Sequence, residues 1–357
     1  MTARPTAVGT NAASDAALPL PHVELFAKPT PLEHLPRFSR ALGALAADAG
    51  HDPAVEVWMK REDLMSIGLG GNKLRNLEFH VGVALAQGAD TLVTSGRGRA
   101  NHCRLTAAAA ARAGLRCVLV LSGPRPAEPS PNERVCELLG AELRYASDSA
   151  AATRHTLLRE VLAEIRVGQS VPYLVELGAS GVVGASGQVL AGIELSDQLR
   201  TLGVSPDYLF VGLATGGTYA GLRVAIWRAG LAMTVIGVPT YFSAAPSEPA
   251  FRDHLALLMS ELRGLWSDDW SAGRSSWSDE IVLDDQTSWL PYGTASPEAA
   301  AAAHLLGGTE GIAADPVYTA RVAAGIAAWA RAGRLERRTV VLWHGGGTPA
   351  LFEDYGA

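Results

Sequence analysis

The amino-acid sequence predicts an α/β fold built on mainly parallel sheets with helices on both faces. Three observations point there. Unbroken apolar runs such as TLVTS, CVLVL, YLFVGL and TVVLW read as strands buried on both sides. Alanine-rich stretches of helical length lie between them. Glycine is abundant, at 38 of 357 residues, and falls where strands and helices stop. A chain of this length suits two domains or one large α/β unit.

The elements follow in order. Residues 1–22, rich in Ala, Thr and Pro, read as a loose arm. The strand–helix rhythm begins near Val55. Thr91–Ser95 is a β-branched run ending at Gly96, and Asn101–Ala113 is helical and closed by Gly114. Cys117–Leu121 is a strand stopped by Gly123-Pro124. Asn132–Leu139 is helical to Gly140, and Glu142–Tyr145 is the next strand. Tyr173–Glu176 is strand-like and Gly187–Leu202 helical. Tyr208–Leu213 runs as a strand into Thr215-Gly216-Gly217-Thr218, and a helix continues to Gly230. Val235–Val238 is a strand. Phe251–Leu265, Glu298–Leu306 and Val317–Ala332 read as helices, the second announced by Ser296-Pro297. Thr339–Trp343 is a late strand ending in Gly345-Gly346-Gly347. Segment 243–289 breaks the rhythm, with four of the eight tryptophans and many Ser and Asp; Arg274–Asp279 reads as loop.

Composition removes whole classes of function. With 48% hydrophobic and 18% charged residues the chain is not disordered. A formal net charge of −6 and a pI near 5.9 advertise neither a nucleic-acid nor an acidic-membrane surface. Cys103, Cys117 and Cys136 are too few and too widely spaced for a disulfide scaffold or a paired-cysteine metal site, so no metal is expected and a reducing cytosol is. The first residues lack a secretory apolar core. The longest stretch without charge, from Ala229 to Ser247, is broken by Pro239 and Pro246 and makes a poor membrane span. These readings predict a soluble, cytoplasmic protein.

Five stretches could carry chemistry. In Gly70-Gly71-Asn72-Lys73 a lysine follows a glycine pair at a loop-to-helix junction, where partial burial would free its amine to attack a carbonyl. A surface lysine capping a turn is the plain alternative, weakened because the chain holds only Lys28, Lys60 and Lys73. In Leu213–Gly221 a strand ends in Thr215-Gly216-Gly217-Thr218 and a helix begins, an anion cup suited to phosphate. It matches neither the nucleotide P-loop nor the dinucleotide glycine pattern, and a tight strand–helix turn explains it equally well. In Thr94–Arg104 Asn101 falls at or near a helix N-cap, its common use, and His102 by itself reads as structural. In Glu310–Thr319 Asp315-Pro316 is a helix start that brings Tyr318 close behind it. Trp343–Pro349 is a further glycine loop at a strand end, or a plain turn.

Together and in this order the stretches resemble the fold-type II pyridoxal-phosphate enzymes of the 1-aminocyclopropane-1-carboxylate deaminase / D-cysteine desulfhydrase family. The likeness begins at Pro29-Thr30-Pro31-Leu32. It continues through Lys60–Leu64, GGNKLRNLEF, SGRGRANHCR, ATGGTYAG, Tyr292-Gly293, EGIAADPVYT and HGGGTPALF. The resemblance implies a three-layer αβα, tryptophan-synthase-β-like chain of two domains. The small domain would span 76–184, and the large one 1–75 plus 185–357. The cofactor, pyridoxal 5′-phosphate, would sit in the cleft between them, and a homodimer would be expected. It implies that Lys73 holds the cofactor and moves the Cα proton. Asn101 would bond the ring oxygen, and Thr215, Gly216, Gly217 and Thr218 would cradle the phosphate. Tyr292 and Tyr318 would lie near substrate.

The chain also departs from that family. A serine normally stands directly before the asparagine and a glutamine before that; here they are Ala100 and Arg99. Alanine can neither bind substrate by hydrogen bonds nor shuttle protons, and Arg99 adds a cation able to clamp a second acidic group. Arg99, Ala100, His102 and Tyr292 are therefore the expected substrate contacts. The deaminases carry a glutamate where Thr319 stands, and the desulfhydrases a threonine where Gly345 stands. Either position could face the ring nitrogen. A neutral Thr319 weakens the electron sink, which makes cyclopropane ring opening the least expected member reaction. The expected activity is α,β-elimination from a small amino acid with loss of ammonia. The rivals are a β-replacement or cyclisation enzyme of a specialised pathway, and a non-catalytic cofactor- or metabolite-binding relative.

Overall fold

A computed structural model describes residues 18–240, 248–266, 280–287, 290–291, 293–294 and 296–353. The chain divides into two compact units. One runs to Lys28 and resumes over Met65–Gly187; the other comprises Pro29–Leu64 and the chain from Gln188 onward. This division assigns residues 65–75, Lys73 among them, to the first unit, where the sequence reading ran the large domain through residue 75.

The first unit holds a parallel four-stranded sheet: β3 (Thr91–Gly96), β4 (Arg116–Leu121), β5 (Glu142–Tyr145) and β6 (Pro172–Leu174), in spatial order β5-β4-β3-β6. Its strands lack alternation because both faces are covered. Leu92, Cys117, Leu119 and Leu121 join one core with residues of α2 (Lys73–Ala86) and α3 (Asn101–Ala113). The intervening Val93, Val118 and Val120 join the opposite core with Val161 and Ile165 of α5 (Ala151–Val167). Each such side chain contributes about 1.5–3 kcal/mol by leaving water. Every residue from His102 to Ala110 of α3 is buried, so its alanines let it lie close against neighbours on several sides. The next helix, α4 (Pro131–Leu138), starts on a capping box: Ser130 accepts from the Glu133 N–H and the Glu133 carboxylate accepts from the Ser130 N–H.

The second unit carries a five-stranded sheet: β1 (Leu32–His34), β2 (Val55–Arg61), β7 (Tyr208–Leu213), β8 (Thr234–Pro239) and β9 (Arg338–His344), in order β1-β2-β9-β7-β8. Only the edge strand β1 runs antiparallel. Helices α1 (Pro36–Asp48), α9 (Pro297–Glu310) and α10 (Thr319–Arg331) supply residues to a core with Val57, Met59, Phe210, Ile236 and Leu342. Trp329 stands edge-on to Tyr208 and Phe210 and donates its indole N–H to Asp284 at 2.7 Å. The helices α7 (Gly217–Arg228) and α8 (Glu248–Leu265) pair with each other. The chain crosses from the first unit to the second inside one long helix, α6 (Gly181–Leu202).

The α/β class with parallel sheets stands as predicted. Three differences have clear causes. β1, α1 and α5 were not foreseen, and of α2 only the start at Lys73 was. Leu74–Gly82 of α2 are buried without interruption, Arg75, Asn76, Glu78 and His80 included, so no solvent face sorts polar from apolar residues into a helical period. α6 begins at Gly181, six residues before the predicted start, because early small residues hid its first turns. Asn101 is the first helical residue of α3, and Ala100 takes the N-cap place with no side chain to offer.

Candidate active site

The first unit presents Lys73 as the first residue of α2. Its approach is unusual: Gly68, Leu69, Gly70 and Gly71 have φ of 55°, 62°, 69° and 130°, four left-handed residues in succession. Leu69 meets a steric cost there that glycine escapes. Lys73 keeps some solvent access, yet protein crowds its amine. Burial pulls the amine down from its usual value to about 8. A cation at the positive end of a helix is disfavoured in the same sense.

The same unit carries four more of the residues singled out. Beyond β3, Arg97 and Arg99 are exposed and Ala100 is buried. The Asn101 amide oxygen accepts from Asn132 Nδ2 at 3.3 Å. His102 is buried, and its Nε2 lies 3.0 Å from the Ser95 carbonyl, which can only accept, so Nε2 carries the proton. Burial pulls this imidazole down to about 4; the Ser95 carbonyl opposes the shift, and the charges of Lys73 and Arg154 add to it. His102 is therefore a neutral donor at neutral pH.

The second unit gathers the rest at one edge of its sheet. β7, β8 and β9 are parallel, so their C-terminal ends lie side by side, the usual ligand edge of an open α/β sheet. From β7 the chain enters Thr215 and Gly216, whose φ is 91°, and Gly216 is the N-cap of α7. It offers no side chain, so the first-turn N–H groups of this twelve-residue helix have no cap from it, which suits them to an anion such as phosphate. Thr218 lies buried in that first turn. Tyr318 sits beside the β7 end, its Cβ 3.8 Å from where a Cβ on Gly212 would fall.

Thr319 is buried, and its hydroxyl lies 3.3 Å from His344 Nδ1. His344 Nε2 faces the Ala313 carbonyl at 2.9 Å, while Nδ1 accepts the Gly346 N–H at 3.2 Å. Those two backbone groups fix the proton on Nε2, so the Thr319 hydroxyl can donate to Nδ1. Beneath them the Asp315 carboxylate accepts the N–H groups of Val317, Tyr318 and Thr319 at 2.9–3.1 Å. Burial pushes this carboxyl up against the pull of those amides. Gly347 passes directly over it, at φ 106°, where a Cβ would fall 2.6 Å from the Asp315 Cγ. The late glycine loop is thus shaped by close approach, with Gly345 half-buried at the strand end. Tyr292 lies outside the described residues.

Sequence reasoning took Asp315 for a helix start, passed over His344 and Arg104, and took Asn132 only for the start of a helix. Their roles come from partners far along the chain, and only the helix-start signals of Asp315-Pro316 and Ser130-Pro131 marked the neighbourhood. Among the described residues no cluster of His, Cys, Asp or Glu could hold a metal ion, and no helix is long and apolar enough to cross a membrane.

Comparison with known proteins agrees with this chemistry. Residues 23–346 match the family described as pyridoxal-phosphate dependent enzyme. The chain is 34% identical over 331 residues to 1-aminocyclopropane-1-carboxylate deaminase of Methylobacterium sp. (strain 4-46), covering 90% of this chain and 93% of that one. It is 35% identical over 331 residues to the enzyme of the same name from Methylobacterium nodulans, with the same coverage. The crystal structure of an ACC deaminase homologue superimposes with a TM-score of 0.77 at 28% identity, covering 93% of each chain. A lysine whose amine is readily uncharged and a helix N-terminus open to phosphate fit the cofactor these relatives require. The chain belongs to the pyridoxal-phosphate-dependent enzymes, as a fold-type II member akin to the aminocyclopropane-carboxylate deaminases, and its cofactor is pyridoxal 5′-phosphate.

Proposed function

We propose that this enzyme is a lyase that removes ammonia from a small amino acid by α,β-elimination. The observation that carries the reading is Lys73, whose amine burial lowers to about 8. An amine of that kind is partly uncharged at neutral pH, so it binds a carbonyl and accepts a proton without first shedding a tightly held one. Lys73 holds the cofactor and takes the proton from substrate Cα. Pyridoxal phosphate supplies the electron sink for the charge left at that carbon. Backbone N–H groups at the start of α7, with Thr215, Gly216, Gly217 and Thr218, hold the phosphate. Asn101 turns its amide N–H toward the ring oxygen, and Thr319 or Gly345 meets the ring nitrogen. Tyr318 and Tyr292 attend the substrate, and His102 holds the Asn101 turn through the Ser95 carbonyl. Arg99 clamps a second acidic group on the substrate, next to an Ala100 that offers it no hydroxyl.

The test is spectroscopic. Wild type should show a visible absorbance band that borohydride removes, and Lys73→Ala should lack it. An unchanged band in Lys73→Ala sinks the assignment. Arg99→Ala should raise KM about 10- to 100-fold for a substrate with a second carboxylate, the value of a charge-assisted hydrogen bond, and leave a monocarboxylate unaffected.

A second reading, β-replacement or cyclisation, is supported by Ala100, which offers no hydroxyl at the position where the family resemblance leads one to expect serine. Ammonia release with pyruvate from D-cysteine or D-serine, or with 2-oxobutyrate from aminocyclopropane carboxylate, separates the two. Strong turnover of any of them argues against the second reading.

A further inference from the structure

Arg104 is a buried cation without a counter-charge. Its side chain is fully enclosed within the first unit, and among the described residues no carboxylate lies within ion-pair distance. Burial lowers it to about 10. Nε donates to Asn132 Oδ1 at 2.8 Å and Nη2 to the Gly70 carbonyl at 3.2 Å, while Nη1 has no partner. An apolar side chain would avoid the cost of enclosing such a group. Two bonded loops repay it. Gly70 belongs to the left-handed run that presents Lys73. Asn132 donates onward from Nδ2 to the Arg99 carbonyl at 2.9 Å and to Asn101 Oδ1 at 3.3 Å. One chain of hydrogen bonds therefore joins the lysine loop to the Arg99–Asn101 turn.

The direction of each bond matters. Arginine only donates, so Asn132 must turn its oxygen to Arg104 and its nitrogen to Asn101. That in turn uses the Asn101 oxygen as acceptor and leaves the Asn101 N–H groups to face the other way. We propose that Arg104 and Asn132 are positioning residues: Arg104 pins the Gly70 loop that presents Lys73, and through Asn132 it sets the Asn101 amide with its N–H groups outward. This rests on the proposed roles of Lys73 and Asn101 toward the cofactor.

Asn132→Asp separates positioning from folding. Its carboxylate keeps the bond to Arg104 and adds an opposite charge that offsets the lost bond to the Arg99 carbonyl, so the variant should fold. It replaces a donor to Asn101 by an acceptor, so the Asn101 amide should flip and withdraw its N–H from the ring oxygen. Losing a donor makes that oxygen hold a proton more tightly, and the pH midpoint of the visible band should rise by about one unit. A merely structural Asn132 would leave the midpoint unmoved and change thermal stability alone. Arg104→Met should speed hydrogen exchange of the Gly70 and Leu74 amides at least about tenfold, with Val81–Ala86 unchanged. An unmoved midpoint in Asn132→Asp overturns the proposal, as does wild-type exchange at Gly70 and Leu74 in Arg104→Met. If Arg104→Met fails to fold, Asn132→Asp decides alone. If wild type shows no visible band, the reading of Lys73 fails, and exchange in the chain as purified still tests the tether.

Discussion

Lys73 is where one residue couples stability to chemistry. An unfolded chain holds the lysine proton up to about 10.4, whereas the folded chain releases it near 8. Between those values the unfolded state binds more protons, so folding stability rises with pH across that window; below pH 8 the full cost of enclosing the charge is present. With the cofactor stripped, the rise should be roughly 2 kcal/mol, less than the shift alone implies because solvent still reaches the half-buried side chain. Denaturant unfolding at pH 7.5 and pH 10 checks it as the difference between wild type and Lys73→Met, which cancels the tyrosines that titrate nearby. Equal slopes in the two chains would exclude a depressed amine. The residue was legible in the sequence through its glycine pair and the scarcity of lysine. Its amine's lowered affinity for protons was not, because that depends on which atoms crowd around it.

At the scale of an element, α3 shows what the family departure costs. Ala100 occupies its N-cap with φ −80° and ψ 123°, the extended conformation that capping residues adopt, and offers no side-chain cap. Ala100→Ser should cap the first turn and stabilise the chain by about 1 kcal/mol, read as a shift in the urea midpoint with unchanged slope. A midpoint no higher than wild type's would mean that enclosure of Ala100 leaves no room for the hydroxyl. The sequence bounded α3 correctly because Gly114 sets its left-handed end and its alanines its length. It placed Asn101 at or near the cap; the structure puts it one residue inside, with its side chain engaged by Asn132.

For the whole molecule, two probes divide without overlap. All three cysteines, Cys103, Cys117 and Cys136, lie in the first unit, and all eight tryptophans lie in the segments assigned to the second. The thiols are buried, and burial holds each in its unreactive protonated form, with Cys136 pushed up to about 12. A thiol reagent should therefore label none of them in the native protein and all of them after unfolding. Each unit has its own apolar core, so thiol release and tryptophan fluorescence should report separate transitions along a denaturant series. Coincident transitions would show that the two units unfold as one.

The sequence by itself determined the α/β class, strands such as Glu142–Tyr145 and Tyr208–Leu213, and the family, because apolar runs, glycine stops and motif order are local and survive in one dimension. Tertiary structure alone decided the orientation of the working groups. Arg104 reaches Gly70 and Asn132, and Thr319 reaches His344, across 25 to 34 residues of chain. Which atom donates and which accepts in those pairs is fixed by burial, where an unpaired polar group is costly, and burial is a property of the folded chain.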